Sequence, residues 1–140
     1  MNKLNKKGFT LIEMLVVIAI IAVLVSIIIP VVGNSTDKAK GAADAANLRS
    51  ALAEIQIKVL DGDVATTNGF VAASSAEGLS DSLKKMESKY TEGAKLYYSV
   101  DPGDKSVDVM FSKSTTESEG HDLEYYQYIA ENGEPENTTP

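Results

Sequence analysis

The chain has 140 residues, 44% of them hydrophobic, yet its mean hydropathy is only −0.08, so the apolar residues must be concentrated in one place. Charge is equally uneven: Lys3, Lys6, Lys7 and Glu13 are the only charged residues before Asn34, and the remainder is strongly acidic, which opposes nucleic-acid binding by the C-terminal part. The sequence has no cysteine and one histidine, His121, which excludes disulfides, thiolate metal sites and a thiol nucleophile and argues against His-based catalysis.

In chain order, the first predicted element follows the three lysines. From Met14 to Val32 only Ser26 and Pro30 interrupt an apolar run. At about 1.5 Å per residue a helix of that length matches the roughly 30 Å hydrocarbon core of a bilayer. The leading lysines would stay on the cytoplasmic side. A cleaved export signal, a permanent anchor and a segment embedded for only part of its life are the competing readings. An export signal has a shorter apolar region, of about 7–15 residues, and no use for Glu13. A carboxylate there costs free energy unless it finds a partner. Pro30 removes the hydrogen bond to the carbonyl of Ser26 and marks a kink or helix end, with Gly33 a second poor helix former nearby. The Ser26 hydroxyl is expected to help satisfy the local backbone.

The string Lys6-Lys7-Gly8-Phe9-Thr10-Leu11-Ile12-Glu13, with the apolar run behind it, resembles the class III signal of type IV pilins and pseudopilins over roughly the first third of the chain. The resemblance implies that a prepilin peptidase cuts between Gly8 and Phe9, removing a leader of residues 1–8, and that Phe9 is N-methylated. It implies a hydrophobic transmembrane and filament-core helix over residues 9–33. It further implies a helical homo-oligomeric filament, with a cytoplasmic assembly ATPase and inner-membrane platform proteins as partners. Chemistry supports the arrangement. Gly8 lets a protease approach the backbone closely. The new ammonium at Phe9 would lie one turn from Glu13, within a chain or between neighbours, and two buried opposite charges satisfy each other where either alone is costly. Glu13 and Phe9 are therefore candidate assembly and register residues. The family also supports Pro30 and Gly33 as a point where the helix stretches or melts in a filament.

Residues 34–140 are expected to form a soluble head. Ala42, Ala45, Leu48, Leu52, Ile55 and Val59 recur at intervals of three or four, predicting an amphipathic helix over 34–60 stopped by Asp61-Gly62. Its stripe would line the head's core; a coiled-coil seam is the alternative. Asp61-Gly62-Asp63 begins like a calcium loop, but Ala65 and Thr66 break the pattern, so the stretch reads as solvated loop. Leu79, Leu83 and Met86, capped by Ser80, predict a short helix to about Lys89 within the loop region 61–94. Over 95–130 an antiparallel sheet of about three strands is expected. Leu96, Tyr98 and Val100 alternate in one strand and Val107, Val109 and Phe111 in the next, with a turn at Asp101-Pro102-Gly103-Asp104 whose glycine permits positive φ. The third strand is placed around Leu123 to Ala130. All six tyrosines lie between Tyr90 and Tyr128 and read as half-buried strand residues. Residues 131–140 are expected to be a frayed polar tail.

The predicted class is α+β: a long helix whose second half packs on a small sheet. The head departs from many pilins in lacking paired cysteines, leaving open what fastens the region after Ser114. The leading functional expectation is a non-enzymatic pilin, held in the cell membrane before assembly and displayed on the surface afterwards. The alternatives are a pseudopilin of a type II secretion or DNA-uptake machine, and a secreted enzyme or ligand-binding module. No cofactor or metal ligand set is implied, and the chain carries no phosphate-cradling loop.

Overall fold

Helix α1 runs from Leu11 to Asp61 without ending at Pro30. The computed structural model describes residues 8–114 and 120–134 and divides into two units, residues 1–34 and 35–140. In the first unit the described residues are exposed throughout, including every large apolar side chain from Leu11 to Val32. By length and composition this helix suffices to cross a membrane. The Ser26 hydroxyl bonds the local backbone, donating to the Val23 carbonyl at 2.7 Å.

In the second unit α1 supplies one wall of the core. Ala45, Leu48, Ala51, Ile55 and Val59 are buried and Leu52 packs against them. The stripe differs from expectation at its start: Ala42 is exposed, while Gly41 and Asp44 face inward. The helix ends in a Schellman motif. Gly62 has φ 83°, its N–H donates to the Val59 carbonyl, and that of Asp63 donates to Lys58. An ion pair of 2.8 Å joins Lys58 and Asp63 across this turn.

The sheet is antiparallel, in the order β1 (Val71–Ala72), β2 (Lys95–Val100), β3 (Val107–Ser112). Leu96, Tyr98 and Val100 alternate inward on β2, and Val107, Val109 and Phe111 on β3, in one core with the α1 stripe. The fold is thus α+β with three antiparallel strands. Met110, on the opposite face of β3, is also buried, because Gly120 lies against its sulfur.

Three local expectations need correction. The third strand is the short β1, whereas Leu123–Asn132 forms a helix, α3. Asp122 caps α3 by accepting from the Tyr125 N–H, and Tyr126 and Ile129, three residues apart, are its buried positions. The tyrosines accordingly divide between β2, α3 and the loop at Tyr90, with Tyr126 buried and Tyr128 exposed. Helix α2 covers only Asp81–Lys84, with Ser80 as its cap as expected. It stops early because residues 86–88 pair with 94–96: Leu96 N–H donates to Met86 and Ser88 N–H to Ala94. In the β2–β3 turn the positive φ belongs to Lys105, at 60°, and not to Gly103. There the Asp101 carboxylate accepts from the N–H of Gly103 and Asp104, a side-chain substitute for a backbone turn.

Described residues after Ser114 are fastened without cysteines. Phe111 and His121 exchange both backbone hydrogen bonds, at 3.0 and 2.9 Å. The Tyr126 hydroxyl lies 3.2 Å from that of Ser88 and 3.0 Å from that of Thr91. Ile129 rests on Gly41, where a Cβ would stand 2.7 Å from its nearest methyl.

Candidate functional site

Residues 8–13 form a helix start with an open approach. Gly8, Phe9 and Thr10 are exposed and precede the first helical residue, so the Gly8–Phe9 bond carries no helical hydrogen bond that a protease would have to break. Among the described residues, its chain neighbours aside, nothing lies within 4 Å of the position a Gly8 Cβ would take. Phe9 is 78% exposed. The leader lysines fall outside the described residues.

Thr10 and Glu13 cap the helix reciprocally. The Thr10 N–H donates to Glu13 Oε2 at 2.7 Å, and the Glu13 N–H donates to Thr10 Oγ1 at 3.3 Å. This is a capping box, in which two of the orphan donors of a helix N-terminus are satisfied by side chains three residues apart. Sequence reasoning weighed Glu13 as a charge seeking a partner and passed over this local role, although Thr-x-x-Glu is its readable signature. The geometry also aims the carboxylate backwards, at the amide one residue from Phe9 N. That nitrogen becomes an ammonium if the Gly8–Phe9 bond is cut.

Pro30 and Gly33 sit within α1, exposed like their neighbours. Proline forfeits one rung of the hydrogen-bond ladder, and glycine lowers helix propensity by about 1 kcal/mol relative to alanine. Both weaken the same stretch of helix. Both lie several turns away from Glu13 along the same helix.

In the second unit the residue that sequence reasoning missed is Asp44. It is fully buried, and its carboxylate accepts from Ser88 Oγ at 2.6 Å, from the N–H of Lys89 at 2.7 and 2.8 Å, and from the N–H of Tyr90 at 2.8 Å. The Ser88 hydroxyl in turn accepts from the Thr91 N–H. Asp44 thereby ties the 88–91 turn to α1. Among the described residues no group of three or more His, Asp and Glu side chains is placed to hold a metal ion.

Residues 3–29 match a protein-family model described as the prokaryotic N-terminal methylation motif, the class III signal sequence of type IV pilins and pseudopilins. No curated protein and no solved structure matches the chain. The motif supports a pilin-like or pseudopilin-like protein of structural type. It also implies prepilin peptidase processing and filament assembly in general.

Proposed function

We propose that this chain is a structural subunit of a type IV pilus, cut between Gly8 and Phe9, N-methylated at Phe9 and assembled through its apolar helix into a helical surface filament. The observation that carries this reading is the methylation motif over residues 3–29, which overlaps the start of α1, together with the exposure of every large apolar side chain of that helix from Leu11 to Val32. A contiguous apolar surface of that extent is costly in water, so a bilayer or sister helices must cover it. Before assembly the membrane does so, with the head outside. In the filament, neighbouring copies replace lipid.

Glu13 sets the seating. Its carboxylate, already directed toward the N-terminus by Thr10, takes the Phe9 ammonium of its own or an adjacent subunit. A subunit docked out of step leaves a charge unpaired in an apolar surrounding, where removing one partner of a buried pair costs about 3–5 kcal/mol. Pro30 and Gly33 mark where the helix yields during packing. Extraction from the membrane is driven by an assembly ATPase acting through a platform protein.

Mass spectrometry of the mature chain tests the reading, with N-methylated Phe9 expected as the first residue. A mature chain beginning near Asn34 would overturn it, because the apolar helix would have been discarded. Immunogold labelling is expected to decorate long surface fibres; label confined to the envelope would instead assign the chain to a pseudopilus.

A further inference from the structure

We propose that the cleft formed by Tyr90, Tyr125 and His121, and edged by Asp37 and Glu134, binds an organic cation, the ammonium or guanidinium head of a small amine or of a basic side chain. This site lies within residues 35–140 and does not depend on the filament reading.

Rings come first. The His121 imidazole stacks on the Tyr125 phenol with centroids 3.8 Å apart and planes 11° from parallel. Tyr90 stands toward Tyr125 at 6.3 Å and 62°. Together with Thr91 and the two carboxylates, these rings line a cavity of about 380 Å³. That volume falls in the range of small-molecule clefts, about 300–1,000 Å³. A cation within about 6 Å of an aromatic centroid is attracted by the ring's negative face, the more so when partly desolvated.

The electrostatics have one sign. The lining residues include two carboxylates and no lysine or arginine. The Tyr90 phenol is pushed up to about 12, first by its own burial and then by Tyr125, Glu134 and Asp37. Burial holds His121 below its usual value despite the opposing pull of Asp122, so the ring favours its neutral form. The lining therefore opposes an anion. A compact metal ion is disfavoured as well, since His121, Asp37 and Glu134 do not converge into a metal-sized group. A larger cation with several N–H donors can pair with the Asp37 and Glu134 carboxylates while its body packs against the aromatic walls.

The site is also held in shape. The backbone of Tyr90 is fixed by buried Asp44, Tyr125 by the Asp122 cap, and Thr91 Oγ1 by Tyr126. Little ordering cost remains when a ligand enters.

The test is a titration of the full-length chain in detergent micelles with n-butylammonium chloride, following the tyrosine ring protons by NMR. Sodium chloride and n-butanol serve as controls. Saturable shifts at Tyr90 and Tyr125 are expected with the ammonium alone, weakened at least tenfold by combining Asp37→Asn with Glu134→Gln. Equal shifts with sodium chloride or butanol, or an unchanged affinity in that double variant, would overturn the proposal. Because both substitutions are at the cleft's edge, an unchanged far-UV spectrum separates lost binding from lost folding. Carbodiimide coupling of Asp37 or Glu134 to a lysine of a second copy would assign the cation to a neighbouring chain; coupling only to added butylamine would assign it to a small amine.

Discussion

Removing the Glu13 side chain and removing only its charge are different experiments on this chain. Glu13→Ala abolishes the acceptor of the Thr10 N–H, whereas Glu13→Gln keeps an oxygen there and deletes the charge. If the charge sets subunit register, both variants should be processed to the mature mass and both should yield few fibres. Wild-type fibre yield from Glu13→Gln would move the weight onto capping. Asp44 calls for a stability measurement instead. Asp44→Ala leaves the Lys89 and Tyr90 N–H groups and the Ser88 hydroxyl without their acceptor. A loss of about 2–4 kcal/mol is expected, read from the urea midpoint. His121 adds a pH dependence. Its folded pKa lies below the usual 6.5, with burial the larger cause, so the unfolded chain takes up the proton first as pH falls. The stability it contributes is complete above pH 6.5 and declines below that value, through the folded pKa. His121→Phe, which keeps a ring against Tyr125, should flatten this part of the stability–pH curve. The Thr10–Glu13 box was legible, since its partners are three residues apart. Asp44 was not: its partners lie 44 to 46 residues away, and a lone acid among alanines gives no hint of which turn will fold over it.

Among elements, α3 shows where pattern reading divides. Leu123 and Tyr125, two apart, fit a strand alternation, while Tyr126 and Ile129, three apart, fit a helical face, and tyrosines favour strands. The deciding signal was Asp122 as cap, together with Tyr126 and Ile129 three apart, and burial settled it toward the helix. The strands β2 and β3 were legible because every inward-facing position, Leu96, Tyr98 and Val100 on one and Val107, Val109 and Phe111 on the other, is apolar and a strong turn lies between them. A two-residue strand such as β1 has too few positions to show a period at all, and α2 was shortened by a pairing that only the fold creates. The seat of α3 makes a sharp prediction at Gly41. Alanine there gains about 0.8–1 kcal/mol in helix propensity. Against this, its Cβ would stand 2.7 and 2.9 Å from Ile129 carbons and 3.0 Å from the Ala130 nitrogen, which is backbone and cannot simply rotate away. Overpacking of this kind costs about 1–3 kcal/mol. Gly41→Ala should therefore destabilise the head, and hydrogen exchange should quicken first in the α3 amides.

At the scale of the whole molecule the chain divides chemically into a part without its own core and a part with one. Residues 35–140 produced alone should give a cooperative urea transition, with a near-UV spectrum unchanged from the detergent-solubilised full chain. The full chain should need detergent to remain in solution. A non-cooperative transition in the fragment would mean that the head borrows stability from residues 1–34. The N-terminal motif made the broad protein class readable, because processing and apolar character are local properties of sequence. The head's detail was less so, since its fastening depends on contacts between distant segments. That fastening has a mechanical meaning. With no disulfide around α3, a pull on the chain beyond Asn132 meets, among the described residues, noncovalent contacts alone, including Ile129 in its glycine notch, the Tyr126 ring and hydroxyl in the core and the short Phe111–His121 bridge. Such a clasp lets go and re-forms without any oxidant, so a head stretched open by load can close again wherever it happens to be.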